Sequence, residues 1–191
     1  MMEELRELAT PYRADLDIAL IAATRASETI LQFYDARSAE TYVKGDGSPV
    51  TDADLASDKV IREVIATAFP GDAFLTEEGA SDETRLRNSR CWIVDPIDGT
   101  AQFIARTGRF DVLIALVVDG LPMVGVICHP PSGTILAAVK GRGTWRIDEH
   151  GEHLVSIPPA RPDAPVRVAG SIDGRWIFAS SRRPWPAGRP G

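Results

Sequence analysis

The residues with the most chemical potential in this chain are carboxylates that directly follow short apolar runs. Glu77 and Glu78 come after Ala73-Phe-Leu-Thr76, and Trp92-Ile-Val-Asp95-Pro-Ile-Asp98-Gly-Thr100 carries two aspartates just past a second such run. Hard divalent cations such as Mg²⁺ take oxygen ligands in near-octahedral geometry, and carboxylates at strand ends supply them from rigid positions. Pro96 is expected to stiffen the turn between the aspartates, and Gly99 to permit close backbone approach. Thr100 is expected to open a short helix through Gln102 and Phe103, whose free N–H groups can hold a phosphate. Metal and anion sites would then touch.

Each piece also has a purely structural reading. Asp-Pro and Asp-Gly are ordinary turn dipeptides, and Glu77-Glu78 reads as a solvated charge pair. Their combination is harder to explain that way, because two apolar strands ending in carboxylates leave uncompensated negative charge at one sheet edge unless a cation binds. A Ca²⁺ loop fits poorly, since neither 52–58 nor 95–99 has the alternating Asp-x-Asp-x-Asp-Gly spacing. Zinc chemistry has equally little support. His129, His150 and His153 form no His-Glu-x-x-His pattern, and Cys91 and Cys128 have neither paired zinc spacing nor the numbers for a disulfide framework.

The elements that must position these groups follow from periodicity. Thr10-Pro11 reads as an N-cap and first helical position, and Leu16, Ala19, Ala23, Ile30 and Phe33 recur at near-helical intervals, so a helix is expected to about Ala36. Lys44 to Val50 is loop chemistry. A second helix is expected from Thr51 or Asp52, with Leu55, Ile61, Val64, Ile65 and Ala68 on one face and Pro70-Gly71 closing it. Residues 73–76 and 91–94 read as strands, and 110–118 and 121–128 flank Asp119-Gly120 as a tight antiparallel hairpin, extended by 134–139 and 144–147. From about Pro158 closely spaced prolines suggest a connector, 166–170 and 176–180 suggest a second sheet, and the aperiodic stretch from Arg182 is expected to be disordered.

Composition narrows the partners. A chain of 191 residues with 44% hydrophobic and 25% charged residues can bury an ordinary core. The formal net charge of −6 argues against a nucleic-acid surface, although an acidic protein still binds phosphate when metal ions supply the positive charge. No apolar run approaches the roughly 20 residues of a membrane span. The N-terminus carries no signal-peptide pattern, so neither a membrane nor nucleic acid is expected as a partner, and the cytosol is the expected location.

The stretch from Trp92 to Thr100, with Glu77-Glu78 upstream, closely resembles the signature of the inositol monophosphatase family, Asp-Pro-Ile/Leu-Asp-Gly-Thr after a Trp-Ile-aliphatic strand. Lys44 with Ser48-Pro-Val-Thr-Asp-Ala-Asp54 matches a further family motif, so the resemblance covers roughly residues 10–160. It implies an α/β layered fold with two long helices on a mostly antiparallel sheet, a site-bearing domain over 1–160, and a truncated second domain with a tail over 161–191. It also implies Mg²⁺-dependent hydrolysis of a small-molecule phosphate monoester, with two or three ions in full-length members and one strong site here.

By matching position, Glu77 and Asp95 would bind a first ion with the carbonyl of Ile97, and Asp95 and Asp98 a second, with Glu78 a neighbour rather than a main ligand. Glu77 and the Thr100 hydroxyl would orient the attacking water, with Asp54 supporting Thr100, although an aspartate there also suits a helix dipole. Gly99 and Thr100 would offer N–H groups to the phosphate. Phe103-Ile-x-Arg106-x-Gly108-x-Phe110 and Gly120-x-Pro122-x-x-Gly125-Val126 look most like the 3'(2'),5'-bisphosphate nucleotidase branch, with inositol 1-phosphate and histidinol phosphate as alternative substrates. The family's Trp-Asp-x-Ala-Ala motif, which completes the second metal site, has no counterpart in the sequence, so a truncated, inert metal- or phosphate-binding fragment stands as the alternative of another class. The resemblance also suggests a homodimer.

Overall fold

A computed structural model describes residues 11–79 and 83–156, together with the backbone of 166–172 and 175–181. Two compact units divide the chain, 1–155 and 156–191. The first holds the candidate site.

Helix α1 runs over Arg13–Ala36 and buries Leu16, Ala19, Leu20, Ala23, Ala26 and Ile30, a stripe at three- and four-residue steps. It starts later than the sequence suggests. Tyr12 occupies the N-cap without a side-chain bond, so Pro11 precedes the helix, and Thr10 lies outside the described residues. A hairpin of β1 (Thr41–Val43) and β2 (Pro49–Thr51) then leads into α2 (Asp52–Ala68). The buried face of α2 carries Ala53, Asp54, Ser57, Asp58, Ile61 and Ile65. Leu55, expected on that face, is 46% exposed. Six positions before Ile61, it is rotated by roughly 240° around the axis and points away from the core.

The main sheet has seven strands in the order β3 (Ala73–Thr76), β4 (Arg90–Asp98), β5 (Asp111–Val118), β6 (Leu121–His129), β7 (Thr134–Val139), β8 (Gly143–Asp148) and β9 (Gly151–Leu154). Only β3 and β4 pair in parallel; every later pair is antiparallel. The β5–β6 turn is the expected Asp119-Gly120, with φ of 50° and 76°, the left-handed geometry that matches strand twist in a two-residue hairpin.

One face of the sheet, with Trp92, Val94, Val112, Ile114, Leu116, Val124, Val126 and Ala137, is buried in the core cluster shared with α1 and α2. The opposite face carries a cross-strand row of Ile93, Ala115, Gly125 and Ala138. At the start of β4, Arg90 donates to Asp15 and Asp72, and the Trp92 indole donates to Asp72 at 2.8 Å, which fixes α1 against this strand. In the second unit, β10 (Val166–Ile172) and β11 (Arg175–Ser181) form an antiparallel pair. The tail expected to be disordered lies outside the described residues.

The two faces of the sheet predict different sensitivities. Leu116→Ala, at a fully buried position, should cost about 2–5 kcal/mol in urea denaturation. Ile93→Ala, 41% exposed on the opposite face, should cost less than about 1 kcal/mol. Equal losses would contradict this assignment of faces.

Candidate active site

Parallel pairing explains how acids distant in sequence meet. Thr76 lies beside Val94 in the β3–β4 register, and Glu77 N–H donates to the Val94 carbonyl at 3.2 Å. The next residue on each strand is a carboxylate, so Glu77 and Asp95 emerge side by side. Asp95 does not end its strand as expected. β4 continues to Asp98, and its pairing slips between Asp95, opposite Leu113, and Asp98, opposite Asp111. One extra residue on β4 makes a bulge where a Pro96 turn was expected. In a regular strand, residues three apart face opposite ways; here the bulge brings Asp98 to the same side of the ladder as Asp95.

The charge this gathers is poorly compensated. Asp95 Oδ1 is buried without a hydrogen-bond partner. Its carboxyl is pushed up to about 7, first by burial, then by the Glu77 charge, a hydrogen bond with Glu77, and Asp98. Asp111, absent from the sequence-based set, sits opposite Asp98; burial raises its carboxyl, His129 opposes that rise, and Asp98 adds to it. Its signal was available as a single acid opening the apolar run 111–118.

On the other side stands the pair of Thr100 and Asp54. Thr100 Oγ1 lies 3.0 Å from Asp54 Oδ1 and 3.2 Å from the Ile97 carbonyl. Asp54 is 1% exposed, and its other oxygen accepts from the Thr51 hydroxyl at 2.5 Å and the Thr51 N–H at 2.9 Å. This is a capping box, so Asp54 stabilises the start of α2 while it fixes the Thr100 hydroxyl. Burial raises the Asp54 carboxyl against the pull of these bonds. Gly99 has φ +96° and caps the five-residue helix α3 (Thr100–Ile104). A Cβ there would lie 2.9 Å from the Arg109 carbonyl.

A positive charge closes the cluster from the β1–β2 turn. Lys44 Nζ donates to Glu77 Oε1 at 2.8 Å and to Glu78 Oε1 at 2.7 Å. Burial would lower its ammonium, but the two carboxylates outweigh that and hold it above the usual lysine range. The Glu78 side chain is 5% exposed and that of Glu77 45%, so the doublet is not the solvated pair that its sequence also allows.

Among the described residues no three His, Cys, Asp or Glu side chains stand close enough to close around one ion. The donor set nevertheless suits a hard cation. Its oxygens are carboxylates and a carbonyl, one Asp95 oxygen is orphaned, and Lys44 already supplies positive charge to Glu77. Glu77, Asp95, Asp98 and Ile97 are the residues that would hold it.

The profile of the inositol monophosphatase family matches residues 13–180. The chain belongs to the inositol monophosphatase family. A histidinol-phosphatase of Chlorobaculum parvum is 40% identical over 131 residues, covering 69% of this chain and 50% of that protein. The 3'(2'),5'-bisphosphate nucleotidase CysQ of Shigella flexneri is 37% identical over 149 residues, covering 77% of this chain and 60% of the relative. The crystal structure of CysQ from Bacteroides thetaiotaomicron superposes with a TM-score of 0.67 at 29% identity, over 81% of this chain and 62% of its own. The α/β layered fold and the kinship with the CysQ-like branch are those expected from the sequence. The chain thus spans only 50–60% of the length of these two sequence relatives.

Two measurements test the site's electrostatics and backbone. Burial and mutual repulsion raise Asp95 to about 7 and raise Glu78 and Asp111, and burial raises Asp54. The folded chain therefore holds protons that the unfolded chain has released. In chelator, stability should fall as pH rises from about 4 to about 7, and Asp95→Asn should flatten that fall. A variant with the wild-type slope in thermal melts at pH 5 and pH 8 would refute the crowding. Gly99→Ala should lower stability by about 1–3 kcal/mol, read by denaturant titration.

Proposed function

We propose that this chain carries the catalytic carboxylates of a Mg²⁺-dependent phosphomonoesterase, and that its substrate is a 3'(2'),5'-bisphosphate nucleotide such as adenosine 3',5'-bisphosphate. The observation that carries the reading is the convergence of Glu77 and Asp95, crowded by Asp98, beside a Thr100 hydroxyl fixed by buried Asp54. Family membership and the CysQ relatives support it, while the histidinol-phosphatase relative keeps histidinol phosphate in the comparison. No helix among the described residues is long and apolar enough to cross a membrane. The cytosolic setting expected from the sequence belongs to this same reading.

Mg²⁺ would supply positive charge against the phosphoryl oxygens and acidify the attacking water. The chain's own residues do the positioning. A hydroxyl has one proton to give, and Asp54 Oδ1 takes the shorter of Thr100's two contacts, which leaves the threonine's lone pairs free to accept from a water. With the Thr100 hydroxyl donating to Asp54, the Ile97 carbonyl is also free to serve as a ligand. Glu77, at the end of β3, would take the proton that this water gives up as it attacks. Backbone N–H groups of Gly99 and Thr100 would hold phosphate oxygens, fixed in place by the left-handed turn at Gly99.

The second reading is a unit that binds cation and phosphate without turnover. Phosphate release by the full chain with Mg²⁺ separates the two. The first reading expects release from adenosine 3',5'-bisphosphate in preference to inositol 1-phosphate and histidinol phosphate, abolished by chelator. It also expects a loss of roughly 10²-fold in Asp98→Asn and in Thr100→Ala. Release indifferent to Mg²⁺ would overturn it.

A further inference from the structure

Lys44 has no role in the chemistry above, yet its ammonium is placed with care. It sits in the turn of the β1–β2 hairpin, where Lys44 N–H donates to the Ser48 carbonyl at 2.8 Å and its own carbonyl accepts from Gly47 N–H at 3.0 Å. The flanking strand β1 is exposed along its length, whereas the base of the hairpin, Thr51, is wholly buried as the cap of α2. A rigid base thus carries a turn whose lysine reaches the Glu77-Glu78 segment.

The two acids that receive it differ. The Glu78 side chain is nearly buried and could not stand as an unpaired carboxylate without a large desolvation cost. Glu77 is about half exposed, adjoins Asp95, and shares its Oε1 with the ammonium at 2.8 Å. An oxygen whose negative charge is already met by an ammonium attracts a second cation less, and two positive charges on one carboxylate repel each other.

We propose that Lys44 is a tethered counter-ion for Glu77, which yields this carboxylate to an incoming divalent cation while remaining paired with Glu78. The acid doublet then divides its labour: Glu78 holds the lysine in every state, and Glu77 is exchanged. The inference rests on the reading of Glu77 as a cation ligand.

Calorimetric titration of the full chain with Mg²⁺ alone tests it. Lys44→Met keeps the length of the side chain without the charge, and should bind Mg²⁺ about two- to fivefold more tightly, the scale of one partly exposed ion pair removed from competition. Glu78→Gln, which leaves the ammonium to Glu77 alone, should bind Mg²⁺ more weakly, and this effect should shrink once Lys44 is Met. In the unaltered chain, the ¹⁵N-labelled Lys44 ammonium resonance should shift with the same midpoint as the calorimetric titration. This readout needs no variant to fold. Unchanged or weaker Mg²⁺ binding by Lys44→Met, or a Lys44 resonance that ignores Mg²⁺, overturns the exchange and leaves the metal site standing. No Mg²⁺ binding by either chain overturns both together.

Discussion

The parallel alignment of β3 with β4 is the constraint on which the rest of this site depends. Parallel neighbours run in the same direction, so residues at corresponding ends are adjacent however far apart they lie in sequence. That single pairing, in an otherwise antiparallel sheet, sets Glu77 beside Asp95. An antiparallel alignment would carry the two acids to opposite edges. The core under these strands, from Trp92 and Val94 to Ile114 and Leu116, is packed against the helices, so the repulsion among the carboxylates is sustained by hydrophobic burial elsewhere.

Like charges held together in this way are a store of unfavourable free energy that a ligand can release. The chain tempers it from two directions. Asp95 holds its proton more tightly than a free carboxyl does, and an ammonium is brought in by Lys44 from a separate hairpin. Both are exchangeable, unlike a hydrophobic contact, and both would be displaced by a cation of higher charge density. Charge so poorly compensated favours the binding of a cation.

Much of this was legible in the sequence, for identifiable reasons. The strand at 73–76 and the turn at Asp119-Gly120 fall where periodicity and turn chemistry put them, and the Thr51 cap fits the expected start of the second helix. The Glu77, Asp95 and Asp98 set was legible as a motif, but its geometry was not. Nothing in Asp-Pro-Ile-Asp distinguishes a turn from a bulged continuation of β4, because the choice depends on the register of β5. Leu55 lies off the inner face despite its hydrophobicity, because angular position decides, and polar Asp54, Ser57 and Asp58 take that face instead. The ion pairs of Lys44 and the approach of Asp111 to Asp98 are tertiary facts, invisible to any local pattern.

Asp54 gives the design a particular rigidity. One oxygen belongs to the first turn of α2 and the other to the Thr100 hydroxyl, so the helix start and the hydroxyl's orientation draw on the same side chain. Evolution or engineering cannot adjust the helix start independently of the hydroxyl's orientation. A variant selected for a tighter α2 would inherit a reoriented Thr100 hydroxyl, and fraying of that first turn would reach this hydroxyl before it reached the core. Heat tolerance and the aim of one hydroxyl are thereby tied to a single carboxylate, which narrows the routes by which either can drift.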